Sequence, residues 1–472
     1  MTGSEDPSTT PDGASDAELD ETHVVTVFLR NEDDVLLLRR SDAVGSYSGR
    51  WGVVAGHAGR EARGASRTRE RAASGSERPA NDGDPDAAAR TEIREETGVD
   101  PETETAFVRR GDPFDVVDAD LGRRWVVHPY LFDCATRAVD PNEETSEFEW
   151  APPTAIRRRE TVPDLWRSYD RVRPTVETVA GDTDHGSAWI SLRALEVLRD
   201  EAALAADGAD AGDPWPPLAT LARDLLDARP TMAVVENRVN RAMDAAAETA
   251  TPDALELSAL EGIGRSTAAD ADAAAIAAER LPDRIATLSR SGTVAATVER
   301  AEPDSVLVAE SRPGREGVGT AERVAGRTDA AVTLTTDAAL ADRLAATGVE
   351  AVVVGADTVL ADGRVLNKVG TRAAAAAAAA EGVDCYVVAA SDKIAAAGGE
   401  GEGDPGTDAV DREERDPGEV YDGDAPVAVA NPTFDVTPSG LIDAVLTERG
   451  ALDAEAVREV AAEHRALAAW DG

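Results

Sequence analysis

The run Glu92-Ile93-Arg94-Glu95-Glu96-Thr97-Gly98-Val99 decides the fold of the first third of this chain. It sets three carboxylates at helical positions i, i+3 and i+4, hence on one face. The helix is marked at both ends. Asp84 is a candidate N-cap, Pro85 suits the first helical position, and Gly98 fits the site just past the last turn. Like charges at this spacing repel, so Glu92, Glu95 and Glu96 read as ligands of one shared cation. Oxygen-only ligands suit Mg²⁺ or Mn²⁺, with substrate phosphates and water completing the shell. The plainer reading of the same residues is a solvated acidic face.

The neighbours of the helix favour the cation. Val24–Leu29 and Val35–Leu38 read as β-strands around the turn Asn31-Glu32-Asp33-Asp34. Gly49-Arg50-Trp51-Gly52-Val53-Val54-Ala55-Gly56-His57 follows, a short apolar run bounded by glycines. Together these segments resemble a Nudix hydrolase. Glu92, Ile93, Glu95, Glu96, Gly98 and Val99 match that family's box, Gly56 matches its leading glycine, and Glu147-Phe148-Glu149-Trp150-Ala151-Pro152-Pro153 resembles its late strand. The resemblance implies metal binding and catalysis by Glu92, Glu95 and Glu96, with Gly56 against the substrate. A further base could come from Glu143, Glu144 or Glu147. Thr91 and Gly83 depart from the family's arginine and first glutamate. An arginine-rich insertion, 59–82, lengthens the spacer and reads either as a surface loop or as a phosphate clamp.

At 472 residues the chain is long enough for about three packing units. Its net charge is −43, and only two of its 48 basic residues are lysines, Lys368 and Lys393. Such a surface repels nucleic acid and anionic membrane, so neither is expected as a partner. It resembles proteins of salt-loving archaea, whose carboxylates stay hydrated while salt screens their repulsion. No signal peptide or spanning apolar run is seen, which places the protein in the cytoplasm. Cys134 and Cys385 sit in apolar runs, and the five histidines are scattered, so no zinc site is read.

Residues 1–20 read as disordered, 21–160 as the Nudix domain, 161–183 as a linker, 184–284 as a helical subdomain and 285–472 as a Rossmann-like domain. Helix-like spacing covers Ser187–Ala205, Trp215–Ala228, Met232–Glu248 and Pro252–Ala278. Strands then alternate with helices. The strands are Ile285–Leu288, Ser305–Glu310, Ala331–Leu334, Ala351–Gly355, Asp384–Ala390 and Val427–Ala430. The predicted fold class is α/β: an N-terminal Nudix α/β/α sandwich with a mixed sheet, a helical subdomain, and a doubly wound parallel sheet.

Ligands of an open parallel sheet bind at the carboxyl ends of its strands. Those ends carry Ser289, Ser291 at a helix start, Arg312, Asp357 and Lys393. A helix N-terminus suits an anion, an arginine can fork onto phosphate, and an aspartate can act as base or hydroxyl acceptor. Ordinary capping is the plainer reading of each residue taken singly. Thr287–Ser291, Glu310–Gly317, Val354–Asp357, Asn367–Thr371 and Asn431–Pro438 resemble the superfamily that joins the regulatory subunits of translation initiation factor 2B to ribose-1,5-bisphosphate and methylthioribose-1-phosphate isomerases. Gly186-Ser187-Ala188 and Ala228-Arg229-Pro230-Thr231 match its helical motifs more weakly. The resemblance implies a phosphorylated small-molecule ligand, contacts from Ser289, Ser291, Arg312, Asn367 and Lys368, a catalytic Asp357, and homo-oligomers formed through this region. The isomerases carry a catalytic cysteine where this chain has Ser289, and a hydroxyl supplies no thiolate near neutral pH.

Overall fold

The computed structural model describes residues 20–58, 84–183, 185–208, 212–396 and 411–471. Residues 1–19, the arginine-rich insertion and residues 397–410 of an acidic, glycine-rich stretch lie outside the described residues. The chain divides into two units, 1–173 and 174–472.

The first unit contains β1 (Asp20–Asn31), β2 (Asp34–Arg40), β3 (Trp51–Gly52), β4 (Val54–His57), α1 (Pro85–Thr97), β5 (Thr105–Arg110), β6 (Phe114–Asp118), β7 (Arg123–Cys134), β8 (Thr145–Ala151) and α2 (Leu165–Asp170). The sheet is mixed. β1 runs parallel to β7 (Val25 opposite His128) and antiparallel to β4 (Val25 opposite Gly56), while β2 pairs antiparallel with β8. Alternation along the strands decides which residues meet which layer. Val25, Val27, Leu29, Leu36 and Leu38 pack with Ala88, Ala89 and Ile93 of α1. On the opposite face Phe28, Val35 and Leu37 pack with Leu165, Tyr169 and Val172. A helix on each face makes the α/β/α sandwich.

The stretch read as a linker is folded. Its first half supplies α2 to the first core, and its second half forms α3 (Val176–Gly181), capped by Thr175, with Val179 buried in the second unit. Polar residues dominate the stretch, but Leu165, Tyr169 and Val172 are spaced to bury one stripe in the first core and Val179 is buried in the second, which a composition-based reading averages away.

The second unit continues with α4 (Ser187–Asp207), α5 (Trp215–Ala228), α6 (Ala233–Ala247) and α7 (Pro252–Ala278), which form the helical subdomain. Then come β9 (Arg284–Leu288), α8 (Gly292–Ala301), β10 (Ser305–Ala309), α9 (Glu316–Arg327), β11 (Ala331–Thr335), α10 (Leu340–Thr347), β12 (Ala351–Val354), β13 (Thr358–Val359), β14 (Val365–Lys368), α11 (Thr371–Glu381), β15 (Asp384–Val388), β16 (Phe434–Thr437), β17 (Ala444–Thr447), β18 (Gly450–Leu452) and α12 (Ala454–Leu467). The main sheet runs β11-β10-β9-β12-β15-β17-β18, parallel except for β18. One core places α10, α11 and α12 on one face; another places α7, α8 and α9 on the other. The sheet is doubly wound, as the alternation predicts. Val427–Ala430 is not a strand: Val427 is exposed, and the last parallel strand is β17. A second, three-stranded antiparallel sheet, β13-β14-β16, was not foreseen.

Chain order reverses between β9 and β12, which are neighbours in the sheet although β10 and β11 intervene in sequence. Such a switch point leaves a crevice beyond the carboxyl ends of the two strands. Ser289 directly follows β9, and Gly355-Ala356-Asp357 directly follows β12.

Candidate functional site

In the first unit α1 begins and ends as its sequence dictates. The Asp84 carboxylate accepts from the Asp86 N–H at 3.0 Å, and Gly98 closes the helix at φ 72°, where a side chain is disfavoured. Glu96 is buried at 8% exposure and accepts from the Ala55 N–H at 3.1 Å. Glu92 is half-buried and Glu95 exposed. A side-chain carbon added at Gly56 would coincide with the Glu92 carboxylate. The leading glycine is therefore a space requirement: β4 and α1 approach this closely only without a side chain there.

Burial pushes Glu92 up to about 7, helped by the charges of Glu95 and Glu144. It pushes Glu96 up to about 8, with Glu92 and Glu144 adding to the effect and the Ala55 hydrogen bond opposing it. Glu144 is thus the residue outside the helix whose charge reaches both. Glu147 instead pairs with Arg39 at 3.2 Å, and Glu143 contributes its backbone carbonyl to the Ser41 hydroxyl. Among the described residues no three acidic, histidine or cysteine side chains enclose an ion by themselves. The donors still fit a hard cation held partly by substrate phosphate and water, which asks the protein for only one or two carboxylates. Crowded, half-protonated carboxylates gain by acquiring such a cation. The Thr91 hydroxyl donates back to the Ala87 carbonyl at 3.0 Å within the helix.

The second site is a cavity of about 1010 Å³ at the switch point. Ser289, Ser291, Asp357, Asn367 and Lys368 all line it. Arg312 does not: its side chain is exposed, and its backbone N–H donates to Asp337 at 2.6 Å. The strand-end pattern could not show that Arg312 turns away from the crevice.

Local bonds hold these groups in place. Ser289 sits at φ 63°, its N–H donating to the Ser311 hydroxyl and its carbonyl accepting from Thr320. The Ser291 hydroxyl caps α8 by accepting from the Val294 N–H, and Gly355 makes room for it, since a Cβ there would lie 2.8 Å from the Ser291 oxygen. Lys368 pairs with Glu316 at 2.8 Å, and Asn367 donates to Thr371 at 2.9 Å.

Two lining features were not singled out as site residues from the sequence. Gly186 and Ser187, at the start of α4, bring a second helix N-terminus to the cavity; the Ser187 hydroxyl is buried without a partner. Lys393 also lines it, donating to the Ala356 carbonyl at 2.6 Å. Its being one of two lysines was the available signal. Behind it, Asp392 is held by Arg238 at 3.2 Å and Arg241 at 2.7 Å, which fixes the loop after β15.

Among the described residues no helix is long and apolar enough to cross a membrane. The family model for the NUDIX domain matches residues 21–172, and that for the initiation factor 2 subunit family matches residues 183–454. A ribose 1,5-bisphosphate isomerase of Haloferax volcanii is 34% identical over 309 residues, covering 61% of this chain and 92% of the relative. A methylthioribose-1-phosphate isomerase of Pseudomonas putida is 40% identical over 169 residues, 35% of this chain and 44% of the relative. The crystal structure of translation initiation factor eIF-2B from Pyrococcus horikoshii matches with 25% identity and a TM-score of 0.48, covering 59% of this chain and 94% of that one. With more than half its length matched and 92% of an isomerase relative covered, the chain belongs to the initiation factor 2 subunit family and carries a Nudix domain ahead of that region.

Proposed function

We propose that the first unit is a Mg²⁺- or Mn²⁺-dependent hydrolase that cleaves a nucleoside diphosphate linked to another group. The observation that carries this reading is the packing of Glu92 and Glu96 against Ala55-Gly56, which leaves two carboxylates short of countercharge beside Glu144. When bound, the cation neutralises the diphosphate and lowers the pKa of water. Glu92, Glu95 and Glu96 would hold it. Glu144 accepts the proton as water oxygen bonds to phosphorus and the bridging P–O bond breaks. Screening nucleoside diphosphate derivatives, dinucleotides and sugar nucleotides with Mg²⁺ at molar salt tests this; no cleavage of any compound refutes it.

The second unit binds a sugar phosphate or nucleotide in its cavity. The starts of α4 and α8 and Lys368 suit phosphate, while Asp357 and Asn367 suit hydroxyls. Ser289 supplies no thiolate, so the thiol-dependent isomerisation implied by the relatives is not part of this reading. Self-association through this unit is part of it, on the strength of family membership.

A further inference from the structure

Both lysines of the chain line one cavity, while the other 46 basic residues are arginines. Arginine grips phosphate at least as well, through its forked guanidinium. Lysine alone can present a neutral amine near physiological pH. Lys368 is instead tied into an ion pair with the Glu316 carboxylate 2.8 Å away.

Lys393 is placed differently. It is 6% exposed, and no carboxylate forms an ion pair with it among the described residues. Its amine reaches from the loop after β15 to the Ala356 carbonyl at the end of β12, which puts it beside Asp357 at the switch point. A buried ammonium with one neutral partner leaves most of its solvation unreplaced. Burial accordingly lowers its basicity; the charges of Asp357 and Asp270 oppose this and Arg238 adds to it.

We propose that Lys393 is a nucleophilic amine that condenses with the open-chain aldehyde of an aldose phosphate held in the cavity. The proposal rests on the phosphosugar reading of that cavity. The Lys393 nitrogen bonds to C1, and the carbonyl oxygen departs as water with the two amine hydrogens. The products are an imine and one water, with no oxidant or reductant required. Asp357 lies where it stabilises the nitrogen once protonated. A sugar phosphorylated at C1 has no free aldehyde and forms no imine.

The test is reductive trapping. The full chain is incubated at molar salt with ribose 5-phosphate and cyanoborohydride, then mapped by peptide mass. One adduct at Lys393 is expected, formed faster than at Lys368, since burial lowers the basicity of Lys393 and leaves more of its amine neutral. Ribitol 5-phosphate, which has no aldehyde, should suppress it. Lys393→Arg should bind ribitol 5-phosphate in calorimetry yet form no adduct. Should that variant misfold, the competition with ribitol 5-phosphate in the unaltered chain decides. Binding of ribitol 5-phosphate without an adduct, or equal labelling of both lysines, overturns the imine and leaves the phosphosugar reading standing. Absence of both binding and adduct overturns both.

Discussion

The Ala55 N–H donates to the Glu96 carboxylate across 3.1 Å, one residue before the glycine whose missing side chain makes room for Glu92. Helix and strand are tied at one point and must be bare at the next. This arrangement holds two acidic groups close together, both pushed above the usual carboxylate range by burial.

Replacing Glu96 by Gln should therefore separate folding from function. The amide keeps the acceptor for Ala55 but removes a buried charge and an oxygen ligand. Turnover should fall by about 100-fold or more, on the scale of a lost proton-transfer or charged group. The metal-free melting temperature above pH 8 should stay level or rise. Glu95→Gln should also lose activity, because exposed Glu95 adds charge beside Glu92. Full activity in both variants would end the hydrolase assignment.

Gly56→Ala probes the close approach directly. Its Cβ would displace the Glu92 carboxylate, so metal affinity should drop by about 10–100-fold, the usual cost of disturbing a ligand's support. Titration with Mn²⁺ followed by paramagnetic relaxation checks it; unchanged affinity would show that Glu92 is not a ligand.

Without metal, the first unit should lose stability as pH rises. Glu92 and Glu96 titrate at about 7 and about 8 when folded, against 4.5 unfolded. The native state therefore binds more protons in that interval, and its advantage, complete below pH 4.5, is spent by pH 8. Mg²⁺ should reverse the loss, binding more tightly as the carboxylates deprotonate. Thermal scans across this range, with and without Mg²⁺, decide it; stability that climbs with pH in the metal-free protein contradicts the sign.

What the sequence disclosed follows from range. Caps at Asp84 and Gly98, the α1 stripe and the alternation from β9 onward rest on neighbours within a few residues, so they were legible. The strand β17 was missed because Val427–Ala430 offered a similar apolar run, and only packing against β15 distinguishes Ala444–Thr447. Arg312 and Lys393 both follow strand ends. Backbone geometry directs Arg312 outward and carries Lys393 across to Ala356, and neither direction is encoded locally. That the charge of Glu144, and not of Glu143 or Glu147, reaches Glu92 and Glu96 likewise needed the fold, since carboxylates this close in sequence look alike until the backbone places them.

Withdrawing salt should lower the melting temperature. A net charge of −43 repels itself in the compact state, and molar salt shortens the screening length to about 3 Å. Each kcal/mol lost should appear as about 2–4 °C in a unit of this size. A melting temperature that does not move between molar and low salt would remove the salt-adaptation reading and reopen an acidic surface built for a basic partner.

The cavity should bind pentose phosphates or nucleoside monophosphates without isomerising ribose 1,5-bisphosphate. Binding draws on Lys368, Asn367, Asp357 and the starts of two helices, which together supply cation, anion-binding N–H groups and hydroxyl acceptors. Asp357→Ala should weaken binding by about tenfold to a hundredfold, the 1–3 kcal/mol cost of an unsatisfied buried polar group. Arg312→Ala should bind as the parent does, because that side chain lies outside the cavity. The expected lack of isomerisation rests on Ser289. The only thiol in this unit, Cys385, is buried in β15, where burial pushes it up to about 12, so no thiolate replaces the missing one. An imine at Lys393 cannot rescue that substrate either, since its C1 carries phosphate in place of an aldehyde. Calorimetry on the parent and the two variants measures the first half, and product detection with ribose 1,5-bisphosphate the second. Robust isomerisation by the unaltered chain would show that an oxygen nucleophile or another acid–base pair in this cavity does what the thiol does in its relatives.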